Sequence, residues 1–73
     1  MNDLRKNISI RIRQCRMWKE MTQAQVAASL KITQQQYAAY ETGKNIPQYE
    51  MIVALCKLFD VSSDYLLCIT DEL

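Results

Sequence analysis

Apolar residues recur at spacings of three and four along most of this chain, the period of helices with one buried face. Leu4, Ile8, Ile12 and Cys15 form the first such stripe and predict a helix from about Asp3 to Lys19, whose other face carries Arg5, Lys6, Arg13 and Lys19. Thr22-Gln23-Ala24-Gln25 is a capping-box pattern, in which the threonine hydroxyl accepts from the third helical amide and the glutamine reaches back to the cap. It opens a second helix through about Leu30, with Val26, Ala27 and Leu30 inward. The pattern returns at Thr33-Gln34-Gln35-Gln36 and opens a third helix through about Thr42, with Tyr37 and Tyr40 inward. Gly43 follows, where a helix end favours a left-handed residue. Pro47 fits the first turn of a fourth helix, Pro47 to about Phe59, with Met51, Ile52, Leu55, Cys56, Leu58 and Phe59 making a wide apolar face. Ser62 or Ser63 caps a short last helix, Asp64 to Cys68, inside the apolar stretch Tyr65 to Ile69.

Helices of eight or nine residues are marginal alone in water, so the second and third must be held by tertiary packing. About two residues, Lys31 and Ile32, join them. So short a connection cannot fold one helix back along the other, and the pair must cross steeply as a helix-turn-helix. Composition agrees with this all-α reading: with one Gly and one Pro among 73 residues, the chain lacks the turn residues a small β fold requires. The length holds one core, so residues 1–73 are expected to form a single compact five-helix domain.

Charge and chemistry narrow the reading further. The net charge is +1, but residues 1–44 hold eight Lys/Arg against three acids, whereas residues 45–73 hold one against five. The cationic part suits a polyanion; a basic surface that is merely solvated has the same composition. Cys15, Cys56 and Cys68 are odd in number and widely spaced, and read as free, mostly buried thiols. The chain has no His, no phosphate-binding loop and no paired buried acids, so no enzyme activity and no cofactor or metal are expected. No apolar run reaches the roughly 20 residues that span a bilayer, and the N-terminus has no signal-peptide core, which gives a cytoplasmic expectation and no membrane partner.

The run from Arg13 through Leu67 resembles the lambda-type phage repressor and Cro family of helix-turn-helix domains. The marks that carry the resemblance are Arg16, Thr22-Gln23 with Val26-Ala27, Tyr37 and Tyr40, Glu41-x-Gly43, Pro47, and Phe59-Asp60-Val61-Ser62 with Asp64-Tyr65-Leu66-Leu67. The chain departs from the family at two turns. Lys31 stands where Gly is usual between the paired helices, and Glu20-Met21 where Gly is frequent after the first. A positive φ at Lys31 would cost roughly 1 kcal/mol.

The resemblance implies that the helix Thr33–Glu41 enters the major groove of double-stranded DNA. Gln34, Gln35 and Gln36 then stand at its tip, and a glutamine amide can donate and accept at once against the N6 and N7 edge of adenine. In an arbitrary helix the same three residues are simply soluble helix formers. Ala39, like Ala38, offers only a methyl group for close packing or a thymine methyl. With no Arg or Lys in this helix, paired arginine–guanine contacts from it are excluded, and A·T-containing half-sites are favoured.

Backbone phosphates are then left to other residues. Gln23 resembles the family's backbone-contacting glutamine, with Thr22 beside it and Thr33 at the cap of the reading helix. Lys44 and Asn45 suit the other flank, and Arg13 and Lys31 can reach from the first helix and the turn. Arg16 and Glu41 match a family ion pair that ties the first helix to the reading helix, either purely structural or also orienting Arg16 toward a phosphate. Trp18 reads as core or subsurface rather than a stacking platform.

The function implied is transcriptional regulation, as a repressor acting by occlusion. One small domain buries too little for high specificity, so a homodimer on pseudo-palindromic half-sites is expected, with centres about 34–36 Å apart. Leu66, Leu67 and Ile69, with the acidic second half, are the expected dimer surface. No small-molecule substrate is implied. The rival is a protein-interaction module of the same fold, an antitoxin or adaptor gripping its partner with the C-terminal helices.

Overall fold

The computed structural model describes residues 3–72. Five helices follow one another: α1 Leu4–Trp18, α2 Gln23–Leu30, α3 Gln34–Thr42, α4 Tyr49–Phe59 and α5 Ser63–Leu66, with no strand among the described residues. α3 packs on both α1 and α2, while α4 packs on α2 and α5, and α5 returns to α1. The core takes Ile8, Ile12 and Cys15 from α1, Val26 and Ala27 from α2, Tyr37 from α3, Ile52, Leu55 and Phe59 from α4, and Leu66 from α5. Each helix thus buries a single stripe, and no helix could hold its shape without the others.

Both threonine boxes form as the local sequence predicts, Thr22 with Gln25 and Thr33 with Gln36. Gly43 ends α3 in the left-handed region at φ 81°. The two turns that depart from the family in sequence are left-handed without glycine: Lys31 adopts φ 61° and Glu20 φ 55°. Asp60 and Cys68 are left-handed as well, at 57° and 65°, with Asp60 ending α4.

Several expectations need correction. Pro47 does not open α4; it lies two residues ahead, with Gln48 extended at the N-cap. Its ring is buried, as is Ile52 four positions into the helix, the arrangement of a hydrophobic staple that fixes the entry of the chain. The last helix stops at Leu66, because left-handed Cys68 lets the Ile69 and Thr70 amides turn back to the Asp64 carbonyl at 2.8 and 3.3 Å. Leu4 and Trp18, at the two ends of α1, are 42% and 57% exposed rather than buried. At 15 residues α1 is longer than any helix it lies on, so its ends overhang the core. Leu66, expected on a dimer surface, is completely buried, while Ile69 is exposed.

Candidate nucleic-acid interface

The first turn of α3 has its geometry from its own box. The Gln36 amide donates to Thr33 Oγ1 at 3.0 Å, and the Thr33 amide donates to Gln36 Oε1 at 2.9 Å. A helix start leaves several amides without an internal acceptor, and the box reaches those of Thr33 and Gln36 but not those of Gln34 and Gln35. The side chains of Gln34 and Gln35 are exposed on the same turn. Gln36 is exposed too, but its carbonyl oxygen already accepts from the cap, which fixes the side chain against the helix start and leaves its NH2 the freer end. Ala39 is half-buried, and its carbonyl accepts from the Asn45 amide at 3.2 Å.

The far end of α3 is held by one carboxylate. Arg16 donates from Nε to Glu41 Oε2 at 2.6 Å and from Nη2 to Oε1 at 3.2 Å. Gln23 Nε2 donates to Oε1 at 3.0 Å, and the Tyr37 hydroxyl to Oε2 at 2.5 Å. The Glu41 side chain is 4% exposed and that of Arg16 16%. Burial pushes the Glu41 carboxyl up, but the donors on Arg16, Tyr37 and Gln23 outweigh it and hold the group below its ordinary value. Burial and the bond to Glu41 drive the Tyr37 phenol far above its ordinary value. Arg16 Nη1 donates to the Met21 carbonyl at 2.9 Å, so every guanidinium nitrogen carries an internal bond.

The structure therefore brings Arg16, Gln23 and Glu41 together at the junction of α1, α2 and α3. Thr22 sits at the start of α2, where its hydroxyl accepts from the Gln25 amide at 3.1 Å. Arg13 is exposed on α1 and Lys31 at the turn. Lys44 and Asn45 are exposed beyond α3, where Arg5, at the start of α1, reaches the Gly43 and Lys44 carbonyls.

Three contacts were not expected from the sequence. Periodicity gives Tyr37 only an inward place, although its hydroxyl stands one helical turn from Glu41, a spacing at which side chains meet. Arg5 and its loop are 38 and 39 residues apart, with no local signal to join them. Arg11 is equally remote from its partners: it donates to the Tyr65 and Thr70 carbonyls at 2.8 and 2.5 Å, pairs with Asp71 and lies 4.4 Å over the Tyr65 ring. It clamps the C-terminal segment on α1. Among the described residues no cluster of Cys, Asp and Glu could hold a metal ion, and no helix is long and apolar enough to cross a membrane.

Comparison with known proteins points the same way as the geometry. A family model described as helix-turn-helix matches residues 12–66. The chain is 41% identical over 56 residues to the uncharacterized HTH-type transcriptional regulator YqaE of Bacillus subtilis, covering 77% of this chain and 48% of that one. It is 37% identical over 62 residues to YobD of the same organism, also named an uncharacterized HTH-type transcriptional regulator, covering 85% and 55%. It is 39% identical over 57 residues to the SPbeta prophage-derived regulator YonR, again of that organism, covering 78% and 53%. The chain spans about half the length of these curated relatives. No solved structure matches it significantly.

Proposed function

The chain belongs to the helix-turn-helix family of lambda-type repressor and Cro domains, and on that premise we propose that it regulates transcription by binding double-stranded DNA sequence-selectively, with α3 in the major groove. The observation that carries this reading is the division of labour within α3. Its far end is anchored to α1 and α2 through Glu41, while its near end presents Gln34 and Gln35 unencumbered. Two amides on a rigid turn can each make a paired contact with an adenine edge, worth about 1–3 kcal/mol of discrimination per base. Gln36 contributes less, because its oxygen belongs to the cap.

Around this tip, Thr22, Gln23 and Thr33 on one flank and Lys44 and Asn45 on the other position the duplex through its phosphates, with Arg13 and Lys31 further out. Arg16 acts mainly by orienting Gln23 and α3 through Glu41. The domain works as a homodimer on two half-sites and represses by occlusion. Selection of bound sites from random duplexes, at a stated salt concentration, tests the whole reading. The expected outcome is paired half-sites rich in A·T, one helical turn apart. Recovery of no preferred sequence would refute it.

The rival, an interaction module gripping a protein partner, is favoured by one observation: Met17 and Trp18 are 56% and 57% exposed at the end of α1. Under the DNA-binding reading Trp18→Ala leaves the selected sequence unchanged.

A further inference from the structure

We propose that Arg5, at the start of α1, is a positioning residue of the DNA-binding surface: it holds the loop after α3 so that Lys44 meets a backbone phosphate. The proposal rests on the DNA-binding reading and extends it to a residue outside the segment the family model matches. Arg5 Nη1 lies 3.4 Å from the Gly43 carbonyl and 3.4 Å from that of Lys44, bridging the two. A guanidinium suits this place, because the end of a helix presents carbonyls and a negative dipole end.

The loop is fixed from both sides. Its amides turn inward, Asn45 to the Ala39 carbonyl at 3.2 Å and Lys44 to the Thr42 hydroxyl at 3.4 Å. Its other side rests on α1: a Cβ built on Gly43 would meet Ser9 Oγ at 3.6 Å and Arg5 Cγ at 3.8 Å, ordinary contact distances. With the backbone bound on both sides, the exposed Lys44 and Asn45 side chains are what the loop can offer outward. Arg5, Lys44 and Asn45 line one open depression of about 550 Å³ together with Tyr40, Gln48 and Glu50, and Arg5 and Lys6 line the next with Asp3 and Gly43. Three cations, Arg5, Lys6 and Lys44, therefore stand at the exit of the reading helix, with the acids Glu50 and Asp3 at its edges. A duplex backbone phosphate is the anion that this flank is placed to meet once α3 is in the groove.

The test compares the full chain with Arg5→Gln, Lys44→Gln and the double variant. Each is titrated with its best selected duplex and with a scrambled one over a salt series, and melted without DNA. Each single change is expected to weaken binding five- to tenfold on both duplexes alike, and to lower the salt slope by about 0.9, one phosphate contact. The double variant should lose no more than about twofold beyond Lys44→Gln, since Arg5 acts through Lys44. Melting temperatures should agree within a few degrees. If the two effects multiply and the slope falls twice over, Arg5 is an independent contact and the proposal fails. It fails equally if Arg5→Gln changes nothing, or if it abolishes the sequence preference. A wild-type chain that binds neither duplex overturns the DNA-binding reading itself, and this proposal with it.

Discussion

Gln23 Nε2 lies 3.0 Å from Glu41 Oε1, which joins the first residue of α2 to the last turn of α3 through a buried carboxylate. Arg16 brings α1 to the same carboxylate and Tyr37 binds it from within α3, so both oxygens accept two bonds. The placement of α3 against α1 and α2 therefore depends on a single acid. Removing it leaves a partly buried guanidinium without its partner. Glu41→Ala should cost about 3 kcal/mol of stability, read from the urea midpoint.

The same carboxylate sets an acid limit. Its folded-state value is depressed, so it contributes stability that is complete above its unfolded value, near 4, and is lost as pH falls through the folded one. The stability of the wild-type chain should therefore drop below about pH 4 as the unfolded state takes up the proton first. Glu41→Gln should be weaker at pH 7 and should show a flatter acid limb in a melting series against pH.

Tyr37→Phe separates the hydroxyl from the ring. The ring is fully buried and stays so, while a hydrogen bond to a charged acceptor disappears. The expected loss is about 2 kcal/mol by denaturant unfolding, with the preferred duplex unchanged.

How far the fold and site could be read from the sequence depends on the range of each contact. The threonine boxes and the Gly43 cap involve residues three or fewer apart and follow from local chemistry, as does the inward stripe of α4. The Arg16–Glu41 pair, 25 residues apart, was accessible only through the family resemblance. Arg5 and Arg11 reach partners 38 to 60 residues away, and their contacts are decided by how α1 lies across the fold. Trp18 and Leu4 continue the helical period, yet periodicity does not say where the neighbouring helices end. Pro47 suits a first helical turn by its fixed φ, but burial of its ring ahead of Gln48 decided otherwise.

Lys31 holds φ 61°, where a side chain is strained by about 1 kcal/mol or more. Glycine removes that strain but adds freedom to the unfolded chain, which offsets about half a kcal/mol or more. Lys31→Gly should therefore raise stability by about 0.5 kcal/mol and the melting temperature by a few degrees, while affinity for DNA falls slightly with the lost charge.

Cys15 is buried, and burial followed by the neighbouring Cys56 pushes its thiol up to about 11. The thiolate is the nucleophile, so at pH 8 alkylation of Cys15 in the folded chain should be far slower than in urea. Mass mapping of alkylated peptides against time checks this.

In the proposed mode of binding, two glutamine amides on α3 distinguish sequence while the rest of the surface holds the duplex in place. The most direct measurement is the affinity of Gln34→Ala/Gln35→Ala for the selected duplex and a scrambled one, at one salt concentration, with melting temperature as the control. The double variant should fold as the wild type does, bind the scrambled duplex unchanged and lose most of its preference for the selected one. A preference that survives the double substitution in a folded protein would contradict the assignment of α3.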